Sequence, residues 1–231
     1  MNLKKLQILD GFTLKMIMAV LMLMDHLYFF LPGWPFWFHQ VSRVVAPMFA
    51  FFVAEGMVYT SNRAAYIGRM ALFGGVMLAA DVVLFMIFGA YPPNTILISL
   101  AITAALIACI DKLREDATTR RPLYLLAVVG LVLLSLFFEG MFICQLTGLV
   151  CYYLRSRKGL MCIVYVAVSM AFLAMQGMAA SVQALMIFAV IPFLLYNGKR
   201  GLNNRFAKYF FYVFYPVHIW ILFVVEQLFF V

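Results

Sequence analysis

The stretch FTLKMIMAVLMLMDHLYFFL, residues 12–31, decides the fold class. A helix of about 20 apolar residues crosses the ~30 Å hydrocarbon core of a bilayer. This stretch is long enough, yet it carries Lys15, Asp25 and His26. A cation or carboxylate at membrane depth costs about 2.5–3.5 kcal/mol on insertion scales, so each needs a partner, water or a task. Lys15 and His26 stand eleven residues apart. In an α-helix that spacing leaves them about 20° from facing the same way and about 16 Å apart in height. One wall of the helix therefore carries a cation near one end and an imidazole near the other.

Composition extends the reading to the whole chain. Of 231 residues, 67% are hydrophobic and 11% charged. A soluble domain of that make-up would lack polar surface, and lipid tolerates only structures that satisfy their own backbone. The expectation is an all-α, polytopic helical membrane protein with about nine transmembrane helices, forming one integral-membrane domain over residues 1–231. The spans are expected near 11–31, 41–60, 64–89, 94–111, 122–138, 140–155, 158–175, 181–197 and 207–231. Turn or charge signals separate them, such as Pro32-Gly33, Pro92-Pro93 and Glu139-Gly140. The first segment lacks a short apolar core followed by a small-x-small site, so it reads as a retained span. The four cysteines lie in apolar segments without metal-ligand spacing and read as packing residues.

Charge sets the orientation. Fifteen of the 17 Lys and Arg residues fall at one face of this arrangement, and the other two, Lys15 and Arg43, lie inside spans. The positive-inside rule then expects a cytoplasmic N-terminus and an external C-terminus. Topology and contact with the lipid bilayer account for the net charge of +8. Nucleic acid is not needed to explain it.

With depth assigned, Asp25, His26, Arg43 and Asp81 gather toward the outer half, and His218 lies near mid-depth beside Pro216. Lys15, Arg63 and Arg69 lie on the inner side. Each has a bland alternative. Arg43 could snorkel to the interface. Asp81 could be a structural partner of Arg43, and His218 could serve a kink. Arg63 and Arg69 could be topology signals alone. Glu55 could anchor the inner end of its span. His39, among Trp34, Phe36 and Trp37, reads as part of an aromatic belt or as a lid over an acceptor.

The runs MDHLYFF, SRVVAPMFAFFVAEGMVYTSNRAAYIGRM and FFYVFYPVHIW resemble the TraX family, whose best-known member acetylates the N-terminus of F pilin in the inner membrane. That family is related to the acyltransferase-3 proteins. Those carry Arg or Lys, ten residues, then His in the first span, and Lys15 with His26 matches this spacing. Arg43 ahead of Pro47 and the closing Tyr215-Pro216-Val217-His218 resemble two further motifs. The resemblance implies a bacterial cytoplasmic (inner) membrane acetyltransferase. Its donor would be acetyl-CoA on the cytoplasmic side. Its acceptor would be a membrane-bound or extracytoplasmic amine or hydroxyl on a pilin-like N-terminus, glycan or lipid.

Acyl transfer from a thioester needs a base or nucleophile, a positive or hydrogen-bonding group for the developing oxyanion, and anion contacts for the donor's phosphates. His26, oriented by Asp25 or Asp81, suits the first role, with His218 as the second intramembrane imidazole. Arg43 suits the second. Lys15, with Arg63 or Arg69, suits the third. No metal is expected. The competing reading is a transporter or lipid flippase with a buried charged pathway, against which an odd span count and the lack of an inverted repeat argue.

Overall fold

Capping residues and glycines set the helix ends in the computed structural model, which describes residues 7–92, 95–115, 120–178, 181–202 and 204–231. Asn94, expected to open the fourth span, lies outside the described residues. Asp10 caps α1 (Gly11–Phe30), its carboxylate accepting from the Thr13 N–H at 2.8 Å. Asn62 caps α4 (Arg63–Phe88) through the Ala65 N–H, and Gly89 closes it at φ +73°. Asn204 caps α10 (Arg205–Phe229) through the Ala207 N–H. Such side chains satisfy amide donors that a helix start leaves without partners.

Proline decides two interruptions. A proline ring clashes with the carbonyl four residues before it. Pro47 therefore disfavours a continuous helix through Arg43, and the expected second span divides into α2 (Trp37–Ser42) and α3 (Val45–Tyr59). Pro192 does the same to Phe188. The expected eighth span is accordingly a 3₁₀ segment (Val182–Ala189) followed by the short α9 (Val190–Leu195). The remaining helices are α5 (Ile96–Glu115), α6 (Arg121–Ser135), α7 (Met141–Tyr153) and α8 (Lys158–Met175). Helix α5 runs past its expected end, which puts Lys112 and Arg114 on its last turn.

The described residues are thus all-helical apart from loops and a lone bridge between Leu9 and Tyr196. Six segments are long and apolar enough to cross a membrane: α1, α2 with α3, α4, α5, α8 and most of α10. Three shorter apolar helical stretches correspond to the expected fifth, sixth and eighth spans. Helices α3 and α5 form the core, and α4 turns most of its surface outward. Met48, Ala50 and Met57 of α3 are fully buried, as are Ala104 and Ile107 of α5.

Small residues let these helices approach closely, as dispersion-driven packing between apolar helices requires. A Cβ on Gly148 of α7 would lie 2.2 Å from the Thr103 Cγ2 of α5. Thr103 is fully buried and cannot yield. Gly148→Val is expected to lower stability by about 1–3 kcal/mol, the usual cost of overpacking. Thermal unfolding in detergent should show a lower midpoint for the variant. An unchanged midpoint would mean that this contact relaxes without cost.

Candidate active site

The start of α1 builds the first part of the site. Its amides at Gly11 and Phe12 donate to the carbonyls of Lys199 and Arg200 at 2.8 and 3.1 Å. The loop before α10 is thereby fastened across the helix start. Gly201 takes φ +72°, and a Cβ there would fall 2.5 Å from the Asp10 carboxylate, so this turn requires glycine. The arrangement holds Arg200 beside Lys15.

Below that loop lies a cavity of about 640 Å³ among α1, α3, α4, α5 and α10. Its volume falls in the range of small-molecule and cofactor sites. Lys15, Arg69 and Arg200 line it, against one carboxylate, Glu55. The Lys15 ammonium lies 5.0 Å from the Phe52 ring centre and 5.9 Å from that of Phe211. The Nε of Arg69 is buried without a hydrogen-bond partner in the protein. A buried N–H donor with no acceptor is costly, and an anion in the cavity would supply one. Tyr66, Tyr196 and Tyr212 add aromatic wall.

The far end of the cavity is lined by Met22 of α1 and Tyr215 of α10. One turn further along each helix stand His26 and His218. Their rings meet, with Nδ1 of His26 2.7 Å from Nε2 of His218. The other nitrogen of His218, Nδ1, lies 2.6 Å from the Phe214 carbonyl oxygen. A carbonyl only accepts, so His218 Nδ1 carries a proton. The neutral ring then has its lone pair on Nε2, and His26 Nδ1 must donate to it. Neutral His26 is left with its own lone pair on Nε2. In this contact an imidazole from the last helix meets His26.

Asp25 faces a different group. Its Oδ1 lies 2.8 Å from His39 Nδ1, and its Oδ2 accepts a short bond from Arg43 Nη2. Arg43 also donates to the Gln183 side chain at 3.2 Å and to the His39 carbonyl at 3.1 Å. It does not extend freely toward an interface. Its ends are held by α1, α2 and the 3₁₀ segment. Asp81 is buried on α4, near enough to Tyr215 to interact with it electrostatically.

Arg63 does not line the cavity. It donates to Asp111 Oδ2 at 2.7 Å, to the Tyr152 hydroxyl at 2.7 Å and to the Met57 carbonyl at 3.2 Å, which ties α3, α4, α5 and α7 together. Of the expected residues, the structure brings Lys15 and Arg69 to one cavity, His26 and His218 to its far end, and Asp25 and Arg43 to a neighbouring ion pair. One residue of the arrangement was hidden in the sequence: Arg200 stands among loop cations that topology already explains. His39, read as part of an aromatic belt or a lid, is found paired with Asp25. Among the described residues, no three His, Cys, Asp or Glu side chains gather as a metal site requires.

The sequence profile of one family, described as TraX protein, matches residues 10–226. This chain belongs to the TraX family. A curated TraX-like relative is the "Probable fimbrial assembly protein FimC, serogroup H1" of Dichelobacter nodosus, 28% identical over 91% of this chain and 93% of its own length. No solved structure matches. The matched residues of the TraX profile span all three histidines, the Asp25–Arg43 pair and every cavity cation.

Proposed function

We propose that this TraX protein is a membrane-embedded acetyltransferase. It takes acetyl from acetyl-CoA in the cation-lined cavity and passes it to an amine or hydroxyl acceptor arriving from the opposite end of the bundle. The observation that carries this is the continuity between two chemistries. A cavity with excess positive charge ends one helical turn from an imidazole pair whose tautomers free His26 Nε2.

The steps follow from those groups. The donor's phosphates bind Lys15, Arg69 and Arg200. Its thioester reaches the far end of the cavity. The acceptor's nitrogen or oxygen attacks the acetyl carbon as His26 Nε2 takes its proton. The C–S bond breaks, and the proton passes from His26 to the departing thiolate. The positive charge of Arg43, held in place by Asp25, favours the carbonyl oxygen as it becomes negative. The concentration of basic residues at the cavity end supports a cytoplasmic donor side and an inner-membrane, multi-pass topology of nine spans, with the C-terminus outside. Family membership supports a pilin-like N-terminal amine as one acceptor.

Release of CoA thiol by the purified protein, with a panel of amine and hydroxyl acceptors, tests the reading. Absence of acetyl-CoA-dependent release with every acceptor would sink it. Donor binding gives a separate prediction. Lys15→Ala and Arg69→Ala should each weaken acetyl-CoA about 10–100-fold, since a hydrogen bond to a charged group contributes about 1.5–3 kcal/mol. Dephospho-CoA should lose less than CoA does on these substitutions. Calorimetric titration measures this, and wild-type affinity in both variants would remove the two cations from the donor contacts.

A further inference from the structure

We propose that His39, paired with Asp25, is the proton acceptor on the acceptor side of the site, and that it equips the protein for acceptors that arrive as protonated primary amines. The inference rests on the acetyltransferase reading above. It starts from a second imidazole that the transfer steps leave unused.

His39 lies on α2, at the end of the bundle opposite the cation-lined loops. Its Nδ1 is 2.8 Å from Asp25 Oδ1. The other Asp25 oxygen accepts from Arg43 Nη2, which makes the two groups an ion pair. An ionised carboxylate only accepts, so His39 Nδ1 carries the proton and Nε2 the lone pair. A carboxylate that fixes the tautomer of an imidazole in this way is the arrangement that prepares a general base. Tyr28 stacks on the ring with centroids 5.4 Å apart, and Phe36 lies 6.0 Å away. The ring is thus fixed in its plane, yet the side chain is 28% exposed. The groups facing His39 from the elements around it are Asp25 and Tyr28 of α1, Arg43 after α2, and the uncharged Gln183 of the 3₁₀ segment.

An amine has one more proton to lose than a hydroxyl. A primary ammonium has no lone pair and cannot attack a thioester. His39 Nε2 takes the first proton and releases it to the water outside. The neutral amine then forms its N–C bond. Its second proton goes to His26 Nε2 and on to the thiolate as the C–S bond breaks. The sum is ammonium plus acetyl-CoA giving acetamide, CoA thiol and one released proton. A neutral hydroxyl needs only the His26 step.

The test compares wild type with His39→Gln from pH 6.5 to pH 9, using Leu-Phe amide and its counterpart with a hydroxyl in place of the amino group. A peptide amine with a pKa of about 7.7–8.0 is roughly 5% neutral at pH 6.5. His39→Gln should therefore fall about tenfold or more below wild type with the amine at pH 6.5, and approach wild type at pH 9. Transfer to the hydroxyl probe should show no such pH-dependent loss, any loss there being the same at pH 6.5 and at pH 9. A wild-type pH profile in the variant, or an equal loss with both probes at every pH, would overturn the proposal. A second measurement does not depend on turnover. Diethyl pyrocarbonate should modify His39 in the folded wild-type protein before His26 and His218. Failure of His39 to react overturns the proposal whatever the activity, whereas failure of wild type to release CoA thiol strikes the acetyltransferase reading instead.

Discussion

His26→Gln is expected to bind acetyl-CoA as wild type does and to transfer acetyl about 10²–10⁴-fold more slowly, the usual worth of a positioned acid–base group. Glutamine keeps the size and a donor that can reach His218 Nε2. It cannot take a proton at working pH. The cavity cations lie on the other side of Met22 and are untouched. The partner predicts a graded series. His218→Gln retains an oxygen able to accept from His26 Nδ1, so it should keep more activity than His218→Leu, which leaves that N–H without a partner. Single-turnover kinetics on folded variants would measure both. Near-normal turnover in His26→Gln would remove the base role from this residue and move it to His218.

The second large effect concerns folding. Asp25→Leu leaves the Arg43 guanidinium, with its side chain 19% exposed, without its carboxylate. Breaking one side of a fully buried ion pair destabilises by about 3–5 kcal/mol, because the remaining charge loses its compensation, and this pair is only partly buried. Gln183 and the His39 carbonyl still receive Arg43, which argues for the lower end of that range. The double variant Asp25→Leu/Arg43→Leu removes both charges and should recover much of the loss. Unfolding midpoints of the four proteins in one detergent form the cycle. If the double variant were as unstable as the sum of the two singles, the pair would not be coupled.

Helices were legible in this chain because each span is written locally, in an apolar run with a turn or a cation at its end. Two were misjudged in form for an equally local reason, since Pro47 and Pro192 act on carbonyls four residues earlier. Lys15 and His26 were legible as one helix wall. Their partners were not. The nitrogen that fixes His26 belongs to a residue 192 positions away, and no spacing rule reaches that far. Asp25 is next to His26 in sequence, but one residue is 100° of helix, which turns its carboxylate toward His39 and Arg43. Arg200 was masked because loop cations already have a reason to exist. Arg63, read as a topology signal or a donor contact, is taken up by Asp111 and Tyr152, neither of which is near it in sequence.

The contact between the first and last long helices also bears on biosynthesis. A chain emerging from the ribosome delivers α1 early and α10 late. Until α10 docks, His26 has no His218 to fix its proton, and the cavity lacks the wall that Phe211, Tyr212 and Tyr215 provide. On the acetyltransferase reading proposed above, the nascent protein therefore lacks a complete site until α10 docks. That docking packs the last helix against the first.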